Sequence, residues 1–213
     1  MKLKKEIPLL LVVLIPFLYL AFIWNSLPET IPTHWNIKGE IDGWGKKSIL
    51  IWVTFLLPVL TYIILTAIPF LDPKKKIESM GNKFYDLKFL LVLFMSALSI
   101  FIIYITKKQS MTNMNFLFAG LGILYILMGN YMKTIKANYF IGIRTPWTLE
   151  NESVWKSTHI LAGKLWFAGG FIVILSSLLT SKEFNGYFFL SITILLALIP
   201  VVYSYAAYKK IKA

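Results

Sequence analysis

Charged residues fall in clusters along this chain, and long uncharged stretches separate them. Six stretches contain no Asp, Glu, Lys or Arg: 7–28, 48–71, 89–106, 109–132, 165–181 and 184–208, which are 22, 24, 18, 24, 17 and 25 residues long. A helix rises about 1.5 Å per residue, so roughly 20 residues cross the hydrocarbon core of a bilayer. A continuous helix also satisfies its backbone N–H and C=O groups within one segment, as lipid requires. The runs are apolar on all sides, whereas barrel strands alternate polar and apolar positions. The pattern predicts an all-α integral membrane protein, a bundle of six transmembrane helices over about 7–27, 48–71, 87–106, 115–132, 165–180 and 187–208. In the fourth, Gly122 and Gly129 are seven apart and share a face, which predicts a close helix neighbour. The first run has the basic start of a signal peptide, but it is too long for one and no small-x-small site follows. It is read as a retained helix.

Composition agrees with this picture. Hydrophobic residues make up 57% and charged residues 15% of the 213 positions, against about 45–50% and 25% in soluble domains. The net charge of +12 would suit nucleic acid, yet its placement points to lipid. With the N-terminus inside, segments 1–6, 72–88, 133–164 and 209–213 hold sixteen basic residues, and 28–47, 107–113 and 181–186 hold six. That asymmetry predicts both termini in the cytoplasm, and basic residues beside a membrane meet anionic headgroups. The chain is divided into an N-terminal two-helix membrane unit, 1–86, with outer loop 28–47, and a C-terminal four-helix unit, 87–213, with inner segment 133–164. Within the helices ionisable side chains are almost absent and no internal repeat is visible, which weighs against a proton-coupled transporter. There is no cysteine.

Two connections exceed what topology needs, and they carry both histidines and the only arginine. In the outer loop, Pro28 and Pro32 favour extended backbone. Gly39, Gly43 and Gly45 permit tight turns, and Asp42-Gly43 reads as a turn dipeptide. Trp35 and Trp44 suit the headgroup level. The loop is either a structured cap over the bundle or a ligand surface using His34, Trp35, Asp42 and Trp44. A metal site from His34, Asp42 and Glu29 or Glu40 matches no established ligand spacing, so no metal and no cofactor is expected. In the inner segment, Thr145 or Thr148 can cap a helix with Pro146 in its first turn, and the dipole favours Glu150 and Glu152 near the helix start. Val154, Trp155, Thr158 and Leu161 share a helical face, which predicts an amphipathic helix on the inner surface leading into the fifth span. Arg144 carries a fork suited to phosphate or carboxylate. No nucleophile motif, HExxH or P-loop occurs, and His34 and His159 fall on opposite sides of the membrane. An enzyme is not expected.

The outer stretch Leu27-Pro28-x-x-Ile31-Pro32-x-His34-Trp35-Asn36-x-x-Gly39-x-x-Asp42-Gly43-Trp44-Gly45 resembles the extracytoplasmic motif of a bacterial membrane domain of uncharacterised function. The inner stretch Asn138-Tyr139-x-Ile141-Gly142-Ile143-Arg144-Thr145-Pro146-Trp147-Thr148, followed by Val154-Trp155-x-x-Thr158-His159, resembles the signature of the SdpI family, in which both stretches occur in this order. The resemblance implies a non-enzymatic, multi-pass protein of the bacterial plasma membrane that gives immunity to a secreted peptide toxin. It further implies that the protein relays the toxin's presence by holding a cytoplasmic winged-helix repressor at the membrane, with no direct nucleic-acid binding. On this reading Pro32, His34, Trp35, Asn36, Gly39, Asp42, Gly43, Trp44 and Gly45 face a ligand outside. Asn138, Gly142, Arg144, Thr145, Pro146, Trp147, Thr148, Trp155 and His159 face a partner inside. The alternatives are a small-molecule transporter and a structural or envelope-stress protein without a specific ligand.

Overall fold

The computed structural model describes residues 3–36, 39–110 and 114–212. Ile37 and Lys38 of the outer loop and Met111–Asn113 of the loop after the third span lie outside the described residues. Among the described residues, six helical segments are long and apolar enough to cross a membrane: Lys4–Ser26, Ile49–Leu71, Asn82–Lys108, Met114–Met132, Glu152–Leu179 and Glu183–Lys212. The chain is an all-α multi-pass protein, and among the described residues its strands are confined to one hairpin, Thr30–Trp35 with Ile41–Lys46.

The chain folds into two compact units, Met1–Pro69 with Asn82–Thr112, and Phe70–Gly81 with Asn113–Ala213. This division differs from a cut after residue 86, because the third membrane helix packs with the first two. The first unit holds α1 (Leu3–Ile23), β1 (Thr30–Trp35), β2 (Ile41–Lys46), α2 (Ile49–Thr54), α3 (Leu60–Leu71) and α4 (Asn82–Lys108). A π turn over Phe55–Val59 joins α2 to α3. Pro58 lies in it; lacking an N–H and crowding the carbonyl four residues back, proline is accommodated by a wider turn. Near the chain start the unit is tied by a buried ion pair. Lys88 Nζ is 2.7 Å from Glu6 Oε2, which also accepts a bond of 3.0 Å from the Tyr62 hydroxyl.

The second unit holds α5 (Met114–Met132), α6 (Pro146–Glu150), α7 (Glu152–Leu179) and α8 (Lys182–Lys212). Helices α5 and α7 run antiparallel in backbone contact. A Cβ on Gly129 would lie 2.8 Å from the Gly163 carbonyl oxygen, and one on Gly122 would lie 2.8 Å from that of Gly170. The seven-residue glycine spacing seen in α5 is matched by Gly163 and Gly170 in α7, so the close neighbour expected of Gly122 and Gly129 is α7. Among the described residues, the stretch expected to form a surface amphipathic helix is instead the start of the long helix α7. Helix α7 begins at Glu152, thirteen residues before the predicted start of the fifth span, and runs on unbroken. Val154, Trp155 and Thr158 are buried inside the unit. An apolar stripe covers protein as readily as lipid, and periodicity alone does not choose between them.

Candidate functional site

The outer loop is an antiparallel hairpin. Ile31 pairs with Gly45, Pro32 with Trp44 and His34 with Gly43, with irregular register on both sides of His34. Its base is held by an apolar cluster in which Ile31 meets Leu20, Ile23, Leu27, Leu50 and Ile103. The strands are joined between Asn36 and Glu40, whose backbones bond at 2.9 Å, and not at Asp42-Gly43, which sits inside β2. Asn36 braces this join: its side chain donates to Glu40 Oε2 at 2.8 Å and accepts the Glu40 N–H at 3.1 Å. Gly39 takes φ +76°, a conformation that favours glycine. Gly43 is required by space, since a Cβ there would lie 2.9 Å from the His34 Cβ.

On the hairpin surface His34 Nδ1 and Asp42 Oδ1 are 2.5 Å apart, both well exposed. Trp44 is 55% exposed, whereas Trp35 is half-buried. Glu40 and Glu29, the carboxylates that the sequence groups with His34, are engaged elsewhere, with Asn36 and Lys47 respectively, each at 2.8 Å. The hairpin therefore presents an aromatic ring and a polar pair on a rigid frame.

The inner motif is mainly a set of locks on the α5–α6 connection. Asn138 is buried, and its Oδ1 accepts the N–H groups of Phe140 and Ile141, each at 2.8 Å. Its Nδ2 donates to the carbonyls of Lys136 at 2.7 Å and Ile141 at 3.2 Å. Four polar backbone groups are thus satisfied by one side chain. Gly142 has φ +103°, and a Cβ there would fall 2.4 Å from His159 Nε2. That nitrogen accepts the Ile143 N–H at 3.0 Å, and Nδ1 lies 2.8 Å from the Trp155 carbonyl oxygen. An amide can only donate and a carbonyl only accept, so the imidazole is neutral with its proton on Nδ1. Trp155 stacks on His159 at 4.1 Å and donates its indole N–H to the Ile135 carbonyl at 2.8 Å.

Thr145 and Thr148 form a reciprocal cap on α6 with Pro146 at its start. The Thr148 N–H donates to Thr145 Oγ1 at 3.2 Å, and the Thr145 N–H donates to Thr148 Oγ1 at 2.9 Å. Asn151, which sequence reading passed over, caps α7 by accepting the N–H groups of Ser153 and Val154. Its place immediately before an apolar helical run was the available signal. The connection is also docked on residues 70–81: Lys74 Nζ donates to the Tyr139 hydroxyl at 3.0 Å and Lys136 Nζ to the Ser79 carbonyl at 3.1 Å.

Trp155 and His159, at 2% and 1% exposure, are buried within the unit, each bonded to a backbone group of the α5–α6 connection. Asn138, Thr145 and Thr148 are likewise buried. Arg144 is exposed and donates through one guanidinium nitrogen to the Tyr139 carbonyl at 2.5 Å. Trp147 is half-buried against Tyr205, ring centroids 5.1 Å apart. Nearby Glu150 accepts from the Tyr208 hydroxyl, which together with Lys212 holds its carboxyl below the usual range.

Residues 134–204 match the SdpI/YfhL protein family, and residues 11–62 match a domain of unknown function, DUF1648. The immunity protein SdpI of Bacillus subtilis (strain 168) is 32% identical over 214 residues, covering 98% of each chain. The chain belongs to the SdpI family. The inner motif falls inside the first match and the hairpin inside the second. No solved structure matches the chain.

Proposed function

We propose that this chain is a non-enzymatic immunity protein that gives resistance to a secreted peptide toxin, and that it relays the toxin's presence by retaining a winged-helix repressor at the membrane. The observation that carries the reading is the similarity to immunity protein SdpI across nearly the whole of both chains. The hairpin suits the toxin: Trp44 is an exposed aromatic anchor beside the membrane, and aromatic anchors dominate peptide contacts. Arg144 suits the repressor, being an exposed guanidinium fork on the α5–α6 connection.

This arrangement needs the hairpin outside and both termini inside, the orientation favoured by the basic residues. The chain has no cysteine of its own, so a single one placed at Lys46 or at Ser153 reports its side alone. An impermeant thiol reagent on intact cells is expected to label the first and spare the second. Labelling of Ser153→Cys with Lys46→Cys spared inverts the topology and removes the hairpin from the toxin's side.

One strain tests both arms of the function. In cells challenged with the secreted peptide toxin, Trp44→Ala is expected to lower the toxin concentration tolerated roughly 30-fold, the effect of losing an anchor of about 2 kcal/mol. Arg144→Lys is expected to spare resistance and to weaken co-sedimentation of the repressor with membranes. Full resistance of Trp44→Ala at normal abundance makes the hairpin only a cap, and unchanged repressor recruitment by Arg144→Lys removes that residue from the relay.

A further inference from the structure

Beyond the immunity reading, two lysines line a cleft between α5 and α7, and a third lines the hollow beside it. The cleft has a volume of about 550 Å³; Gly129, Gly163, Ile160 and Phe167 form its apolar walls, and Lys133 and Lys164 stand at its edge. A second hollow of about 460 Å³ shares Lys133 and extends to Lys156. On α7, Lys156, Ile160, Gly163, Lys164 and Phe167 are spaced four, three, one and three apart, which places them on one stripe of the helix. The same glycines that bring the two backbones together leave a furrow where side chains would otherwise fill the seam.

The charges at this furrow are unbalanced. Lys133, Lys156 and Lys164 are exposed, and none has an ion-pair partner among the described residues. Glu152 is the one acidic side chain lining either hollow. Lys133 directly follows the span Met114–Met132, and Lys156 is in the first turns of the span Glu152–Leu179, with Lys164 about two turns further along α7 and Phe167 beyond it. Ile160 and Phe167 remain 39% and 44% exposed. A ligand matching both features carries a phosphate at one end and a hydrocarbon chain at the other.

We propose that this cleft binds one anionic phospholipid, its phosphate among Lys133, Lys156 and Lys164 and an acyl chain along Ile160 and Phe167. Free phosphate would leave the apolar walls uncovered, and a zwitterionic lipid would leave positive charge unbalanced. The test is a native mass-spectrometry titration of the full chain in neutral detergent with dioleoyl phosphatidylglycerol, dioleoyl phosphatidylcholine as comparison and inorganic phosphate as competitor. One phosphatidylglycerol is expected to bind at least about tenfold more tightly than phosphatidylcholine and to resist displacement by phosphate, since each lysine near an anionic headgroup contributes on the order of 1 kcal/mol. The triple variant Lys133→Gln, Lys156→Gln, Lys164→Gln is expected to lose that preference, while removal of three charges elsewhere, Lys46→Gln, Lys107→Gln and Lys108→Gln, keeps it. Ile160→Trp retains every lysine and fills the furrow, so it is expected to weaken phosphatidylglycerol binding several-fold even if the triple variant folds poorly. Equal binding of the two lipids, displacement by inorganic phosphate, a triple variant that keeps the preference, or undiminished binding by Ile160→Trp each overturns the site.

Discussion

Replacing Gly129 with alanine is expected to lower the melting temperature of the detergent-solubilised protein sharply, while Gly120→Ala, on the same helix, leaves it unchanged or raises it. A Cβ on Gly129 would sit 2.5 Å from the Phe167 backbone nitrogen and 2.8 Å from the Gly163 carbonyl oxygen; one on Gly120 meets nothing within 4 Å. Both atoms facing Gly129 belong to a helix backbone, so no rotamer change relieves the clash and α7 must move as a whole. Overpacking of this kind costs about 1–3 kcal/mol, sometimes more. Membrane helices associate through close packing rather than through exclusion of water, so separating this pair removes the contact on which the unit depends. Alanine is also the better helix former, which is why Gly120 is the informative comparison. Equal melting temperatures for the two variants would show that the glycines are not where α5 and α7 are held.

The second large effect concerns the buried ion pair. Lys88→Met is expected to destabilise the protein by about 3–5 kcal/mol, because Glu6 is left charged and unpaired in the interior. The ammonium group lies 2.7 Å from Glu6 Oε2 and 4.4 Å from the centre of the Tyr62 ring, with both partners' side chains under one-tenth exposed. Neutralising both ends, Glu6→Gln with Lys88→Met, is expected to recover most of the loss, since the cost comes from the orphaned charge more than from the missing attraction. Unfolding of the single and double variants measures the coupling directly. Additive losses would mean that the two side chains act independently.

The sequence allowed the membrane helices to be placed to within a few residues at most ends, because an uncharged run of the right length has one structural outcome in lipid. Seven-residue glycine spacing predicted a close helix neighbour for α5, though not that the neighbour is α7. The hairpin was harder: Pro32, Gly43 and Gly45 stand in its strands, and proline and glycine are poor strand formers. Its fixed shape was legible, but its strands were not. The start of α7 was misplaced because the polar turn from Glu152 to Lys164 lacks lipid-like composition, yet it belongs to the same helix. The roles of Trp155 and His159 were invisible for a different reason. Each serves a backbone group 16 to 20 residues away, and nothing local marks such a partnership. The Glu6–Lys88 pair spans 82 residues and was hidden in the same way, each residue reading as the edge of an uncharged run.

The antiparallel glycine seam also bears on how the chain is assembled. Helix α5 is the least apolar of the six spans, so it gains least from the bilayer by itself, and the backbone it presents through Gly122 and Gly129 is matched only by α7. During synthesis α5 emerges well before its partner, with the α5–α6 connection still to be made. The close packing of its glycine face is therefore available only after α7 has been made, and in the folded unit the connection tied down by Asn138, Gly142 and His159 joins the two helices.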